Sequence, residues 1–347
     1  MKPFLTRQRF WIFPASQLWT IVLLIIGGNF IFLGYSTILV GFVVADLFTD
    51  EFRHSDDAPH SFERFVPEVS LVLHVIVFAL STWRVAGIDL ANPGELALAA
   101  FLAIQAGAMA AHNTVANSHD LMHRNNPRSF FLAQFLAAFS LRTAGVIDHV
   151  FGHHRLVGFY EDNSTARLNE GFWRFFFRAI PNSIRFSFRF EADRLSRKSV
   201  SALSIRNRQI QGLLCYLPII LAASLVGGLA GLAFFAIAGL WGMILVESGN
   251  YISHYGLVRG RGEDIAEAHS WNNYNTLSTS LLLNLSRHSD HHLHPSRSYW
   301  SLEAANAGPK YARGFLAMTA IALFPPLFFQ LVHAEMVAQN IPLSSTS

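Results

Sequence analysis

Apolar and polar positions alternate along this chain in long blocks: hydrophobic runs fill the first third and return between residues 211 and 251, and arginine-rich polar segments lie between them. No charged residue falls between Phe10 and Ala45, a run bounded by Arg9 and Asp46. As one helix it would measure ~54 Å, well beyond a ~30 Å hydrocarbon core. Two shorter spans broken at Gly27-Gly28-Asn29 fit better. The run is too long for a cleavable signal peptide, and no small-residue cleavage site closes it. Apolar stretches at Val69–Thr82, Leu96–Ala111, Gly212–Ala230 and Gly231–Val246 predict four more crossings. The expected fold is an all-α polytopic membrane helix bundle of about six transmembrane helices, at 10–26, 29–46, 67–87, 95–118, 211–230 and 231–251. Residues 119–210 and 252–347 form its histidine-rich cap, within a single domain over 1–347. Phe130–Leu141 and Phe315–Val332, the latter broken by Pro325-Pro326, read as interfacial or core helices.

Charge orients this bundle. The segment Arg142–Arg208 holds twelve Lys and Arg against six Asp and Glu, and the N-terminus offers Lys2, Arg7 and Arg9. The positive-inside rule puts both in the cytoplasm, which requires an even number of spans between them. The C-terminal region follows two further spans and falls on the same side. Composition agrees with membrane residence: 52% of residues are hydrophobic and 14% charged, against about 25% charged in an ordinary soluble domain. A net charge of +3 gives no bulk basic surface for nucleic acid. The single cysteine, Cys215, excludes a disulfide framework and a Cys-ligated iron–sulfur or rubredoxin-type centre within these residues.

Sixteen histidines remain, and most are clustered. His119 and His123 are four apart, which on a helix places both rings on one face, as a shared metal ion requires. Asp148-His149-Val-Phe-Gly-His153-His154 repeats the spacing with an adjacent third histidine, and Gly152 allows close approach. Arg287-His288-Ser-Asp-His291-His292 presents three more, and Asn250-Tyr-Ile-Ser-His254-Tyr-Gly one. By contrast, His54, His60, His74, His269 and His333 read as satisfied polar anchors, His112 as a structural residue or a support for the ligands roughly beneath His119, and His294, before a proline, stays out. Unpartnered imidazoles packed at a membrane boundary are costly, and metal coordination resolves that cost. Nine nitrogen donors exceed the four of a structural zinc and suit two redox-active ions. Without a thiolate, iron is favoured over copper for oxygen chemistry beside an apolar cavity. A metal transporter or sensor is the non-enzyme alternative, but it needs polar residues within the spans, and here the strong ones lie at the span ends.

These segments resemble the integral-membrane alkane 1-monooxygenase family, within the histidine-box group that also holds fatty-acid desaturases and xylene methyl-monooxygenases. The resemblance runs through His119-Asp120-Leu-Met-His123-Arg124, Asp148 to His154, Asn250 to Gly256 and Leu285 to Tyr299, with weaker similarity at Glu191–Arg197 and His269–Asn272. His254-Tyr-Gly and Arg287-His-Ser-Asp-His-His292 are its most specific parts, because desaturases lack them. It implies two non-haem irons held by His119, His123, His149, His153, His154, His254, His288, His291 and His292, with O2 as co-substrate. It further implies terminal C–H hydroxylation of a hydrophobic, medium-chain alkane-like substrate in a bacterial inner membrane. Electrons would come from a separate rubredoxin or ferredoxin-type carrier with its reductase, which the arginine-rich loops between Arg142 and Arg208 could dock. Asp120 and Asp148 stand where the family pattern has Glu, and Ser253 where it has Glu before His254. With Asp290, the two aspartates are the acids expected to orient the imidazoles. Desaturation or oxidative decarboxylation of a fatty acid stays open, with Arg124, Arg155 or Arg287 as the cation for its carboxylate, as does methyl hydroxylation of an aromatic or terpene.

Overall fold

The computed structural model describes residues 8–55, 62–89 and 91–343; the backbone alone is described at 34–39. Lys2, Arg7 and His60 lie outside the described residues. Among those described the fold is helical, with two isolated β-bridges and no strand. The main helices are α1 (Ile12–Ile26), α2 (Phe30–Asp46), α3 (Val66–Ala86), α4 (Pro93–His112), α5 (Pro127–Ala138), α6 (Phe172–Ser196), α7 (Tyr216–His254) and α8 (His288–Leu293). The chain is integral to the membrane by the length and apolarity of its helices.

Four helical runs among the described residues are long and apolar enough to cross a bilayer, fewer than the six expected: Arg9–Ile26, Glu63–Ala86, Pro93–His123 and Arg208–His254. Two local features account for the difference. The break expected at Gly27-Gly28 is present, with both glycines at positive φ, but the following α2 has 17 residues, about 26 Å. The two late spans form one helical run, 208–254, folded back at Gly228, whose φ of 54° and ψ of −137° only glycine adopts easily. A Cβ placed on Gly231 would lie 2.2 Å from the carbonyl oxygen of Ala223. Eight residues of straight helix would separate those positions by about 12 Å, so the arms before and after Gly228 pack against each other.

By contacts the chain divides into two compact units. The first comprises residues up to 42, 60–146 and 194–246. Its core joins Leu24, Val77, Phe78, Leu102, Phe139, Phe234 and Phe235, with Phe78 edge-on to Phe139 and Phe235. The second comprises 43–59, 147–193 and 247–347. Here Trp271 stacks on Tyr311 at 4.5 Å and donates its indole N–H to the Tyr255 carbonyl, and these residues share the core with Phe172 and Phe175 of α6 and Tyr251 of α7. Asp46, completely buried, accepts hydrogen bonds from Ser278 Oγ and from the backbone N–H groups of Ser278 and Leu316. Arg287, also fully buried, donates to the carbonyls of Leu302, Phe52 and His54. Desolvation pushes its guanidinium down to about 10. That arginine anchors the 52–54 segment immediately before the histidines of α8.

Candidate metal centre

The histidine segments interrupt regular α-helix where they need to. Residues Asn113–Ser118 form a π-helical turn directly before His119, and His149–His153 form another. A π-turn carries one extra residue and bonds i to i+5, so positions five apart share a face. The His154 backbone N–H accordingly reaches the His149 carbonyl.

This alters the grouping expected from an i, i+4 spacing. His149 pairs with His154, their Nε2 atoms 3.0 Å apart, and not with His153. His154 Nε2 is in turn 3.0 Å from His291 Nε2. The ligand atoms of His149, His154 and His291 lie within 4.8 Å of one another. His153 belongs to a second group with His254, His288 and His292, all four buried and equally close. In α8 the four-residue spacing does hold for His288 and His292, at 3.2 Å between Nε2 atoms, while His291 joins the other group. His119 and His123, in the first unit, pair with each other at 4.8 Å between ring centroids.

The second group carries its own argument for a cation. His254 donates from Nδ1 to the His269 carbonyl at 3.0 Å, and His288 hydrogen-bonds the Leu285 backbone. Each neutral ring then has its proton on the outer nitrogen and a lone pair on Nε2. Those two Nε2 atoms face each other at 2.9 Å. Burial pushes His288 down to about 3 and lowers His292, with neighbouring histidines adding to the effect, so protons are poor company for these lone pairs. An ion bonded to imidazole nitrogens at about 2.1 Å spaces donors at right angles by about 3 Å, which the observed separations match. The donor set therefore fits a first-row transition metal.

Asp162, which sequence reading missed, holds His153. Its Oδ2 accepts the Nδ1 proton at 2.8 Å, and both side chains are at most 2% exposed. Thr165 Oγ1 and the Ser164 N–H fix the carboxylate in turn, leaving His153 Nε2 turned inward. Asp148 accepts from Asn163, and Asp120 pairs with Arg124 at 2.7 Å, which also binds Glu68. Asp290 is engaged by Arg297, by His294 and by the Glu303 N–H. Gly152 is required for space: a Cβ there would lie 2.7 Å from Asp148 Oδ1 and 2.9 Å from the Phe186 ring. Of the histidines expected to be satisfied anchors, His333 hydrogen-bonds Tyr255, whereas His74 is buried edge-on to Phe139 with neither ring nitrogen hydrogen-bonded; His112 stacks on Phe13. His269 contributes its backbone carbonyl rather than its ring.

Comparison with known proteins identifies the family. The pattern of the fatty acid desaturase family matches residues 95–322. Alkane 1-monooxygenase 1 of Alcanivorax borkumensis is 34% identical over 76% of this chain and 65% of its own length. Alkane 1-monooxygenase of Pseudomonas putida is 31% identical over 79% and 68%. The xylene/toluene monooxygenase hydroxylase component of Pseudomonas putida is 26% identical over 93% and 87%. The chain thus spans just under two thirds of the Alcanivorax relative. From the extent of these matches, and from histidine segments that gather into groups able to hold a metal ion, the chain belongs to the histidine-box membrane family of fatty acid desaturases and alkane 1-monooxygenases.

Proposed function

We propose that the chain is a membrane non-haem di-iron monooxygenase that hydroxylates a terminal C–H or methyl group of a hydrophobic, medium-chain alkane-like substrate. The observation that carries this reading is the pair of neighbouring histidine groups, with imidazole lone pairs facing one another, in a chain similar to alkane 1-monooxygenases. His153, His254, His288 and His292 would hold one iron. His149, His154 and His291 would be donors to the other, and His119 and His123 are the remaining two of the nine expected ligands. Iron supplied with electrons and O2 provides an oxidant able to attack an unactivated C–H bond.

The protein's own share is positional. Asp162 and the His269 carbonyl fix which nitrogen of each ring faces inward. Asp120, Asp148 and Asp290 brace the ligand-bearing segments through Arg124, Asn163 and Arg297. Burial of His153, His254, His288 and His292 excludes water from that group, while His149 and His154 are half-buried. Electrons would come from a rubredoxin or ferredoxin-type protein with its reductase, since Cys215 is buried and alone. The centre and both termini would face the cytoplasm of a bacterial inner membrane.

An apolar substrate is favoured over a fatty acid because two of the three arginines available for a carboxylate are engaged. Arg287 is spent on three carbonyls and Arg124 on Asp120 and Glu68, leaving exposed Arg155. The test is to reconstitute the purified protein with an electron donor and offer octane, a fatty acid and p-xylene, identifying products by mass spectrometry. A primary alcohol from octane is expected. An alkene from the fatty acid alone, or metal flux without product, would replace this reading.

A further inference from the structure

Helix α6 carries a surface that the metal chemistry does not use. Its sequence holds five arginines against two acids, Glu191 and Asp193, among eight aromatic side chains. The helix divides these residues into stripes. Phe175, Ala179, Ser183, Ser187 and Glu191, each four apart, are at most 2% exposed and face the protein. Trp173, Phe177, Ile184 and Phe188 are 40–72% exposed and, with exposed Pro181 between them, fall on one line about 22 Å long. Arg174, Arg185 and Arg189 are exposed one position further round the helix. Arg178, in the same row, is already tied to Glu170 at 2.8 Å.

We propose that this face of α6 lies in the headgroup layer of an anionic membrane leaflet, with Trp173, Phe177, Ile184 and Phe188 among the acyl chains and Arg174, Arg185 and Arg189 on lipid phosphates. An amphipathic helix with aromatic and basic stripes side by side is the arrangement that lies in the plane of a bilayer. Arginine pairs well with phosphate, and each basic residue near an anionic surface adds to binding. Pro181 also leaves the Phe177 carbonyl without its helical N–H donor, and the headgroup layer supplies hydrogen-bond donors. A transient electron carrier is the other basic-patch partner, but redox encounters use small, wet contacts and would leave these aromatics bare between visits. The bilayer is always present around an integral protein.

Spin labels on single cysteines at Phe177 and Phe188, in a Cys215→Ser background, test this in the full-length iron-loaded protein. A label at exposed Asp264 serves as the aqueous reference. The protein is reconstituted in phosphatidylcholine alone or in equal parts phosphatidylcholine and phosphatidylglycerol, and accessibility to oxygen and to a water-soluble nickel chelate is measured by power saturation. The Phe177 and Phe188 labels should be several-fold less accessible to nickel than the Asp264 label, and deeper in the anionic mixture. Arg174→Gln/Arg185→Gln/Arg189→Gln should abolish the difference between the two lipids. Labels as open to nickel as Asp264 would overturn the proposal, as would immobilisation seen only when an acidic electron carrier is added. Equal depth in the two lipids would overturn the phosphate contacts.

Discussion

The Asp162 carboxylate accepts the Nδ1 proton of His153 at 2.8 Å inside a site from which both side chains exclude water. Removing that acceptor leaves His153 free to rotate and to place its proton on the inward nitrogen. Asp162→Ala should therefore weaken iron binding by about 10–100-fold, with Asp162→Asn, which keeps an acceptor oxygen, losing less. Chelator titration followed by metal analysis reads this directly, and equal affinity in wild type and Asp162→Ala would remove the residue from the centre.

Neighbouring histidines should fail in different ways. His292→Ala removes a donor from the buried group of four and His291→Ala one from the other group. Each variant should insert normally, lose turnover, and fall from about two irons per chain toward about one. Mössbauer spectra of the two should differ, because the surviving iron is not the same one. Turnover retained in His291→Ala would mean that its ring is not a ligand.

Gly152 tests the close packing of the ligand-bearing turn. A methyl group there meets Asp148 Oδ1 at 2.7 Å and the Phe186 ring at 2.9 Å. Gly152→Ala should cost about 1–3 kcal/mol, seen as a lower unfolding midpoint. Adding Phe186→Leu should return part of that loss, and purely additive effects would show that the ring is not the obstruction.

The Glu170–Arg178 pair sets an acid-side stability limit. Burial alone pushes the Glu170 carboxyl up, but hydrogen bonds from Arg178 and the Arg167 N–H, with the charge of Arg178, bring it below its ordinary 4.5. A depressed carboxyl contributes stability above 4.5 that disappears as pH falls through the folded value. Glu170→Gln should thus lower the unfolding midpoint at pH 7 and lose that disadvantage in more acidic buffer. A constant gap across the range would contradict the ion pair.

Much of this architecture was readable from the residues alone. The break at Gly27-Gly28 follows from a charge-free run too long for one crossing, and the fold-back near 230 follows from another. The histidine segments were legible as ligand sources because their spacing is local. Their sorting was not. Pairing His149 with His154 depends on a π-turn, a backbone register that the side chains do not advertise. Asp162 and the His269 carbonyl were hidden for a related reason: one lies in a turn nine residues beyond its partner, and the other is a main-chain atom, which carries no signature in sequence. The arginines of 142–208 showed their sign but not their stripe, because the helical phase of α6 decides which of them reach the surface.

The peptide bond joining His153 to His154 has a mechanical consequence. These two neighbours send their rings into separate donor groups, so any tilt of that one linkage drags a nitrogen in each direction together. Neither half of the centre can be loosened on its own by strain in this turn. Efforts to broaden substrate range should accordingly leave residues 148–154 untouched and work on parts of the chain that can flex without pulling on both pockets.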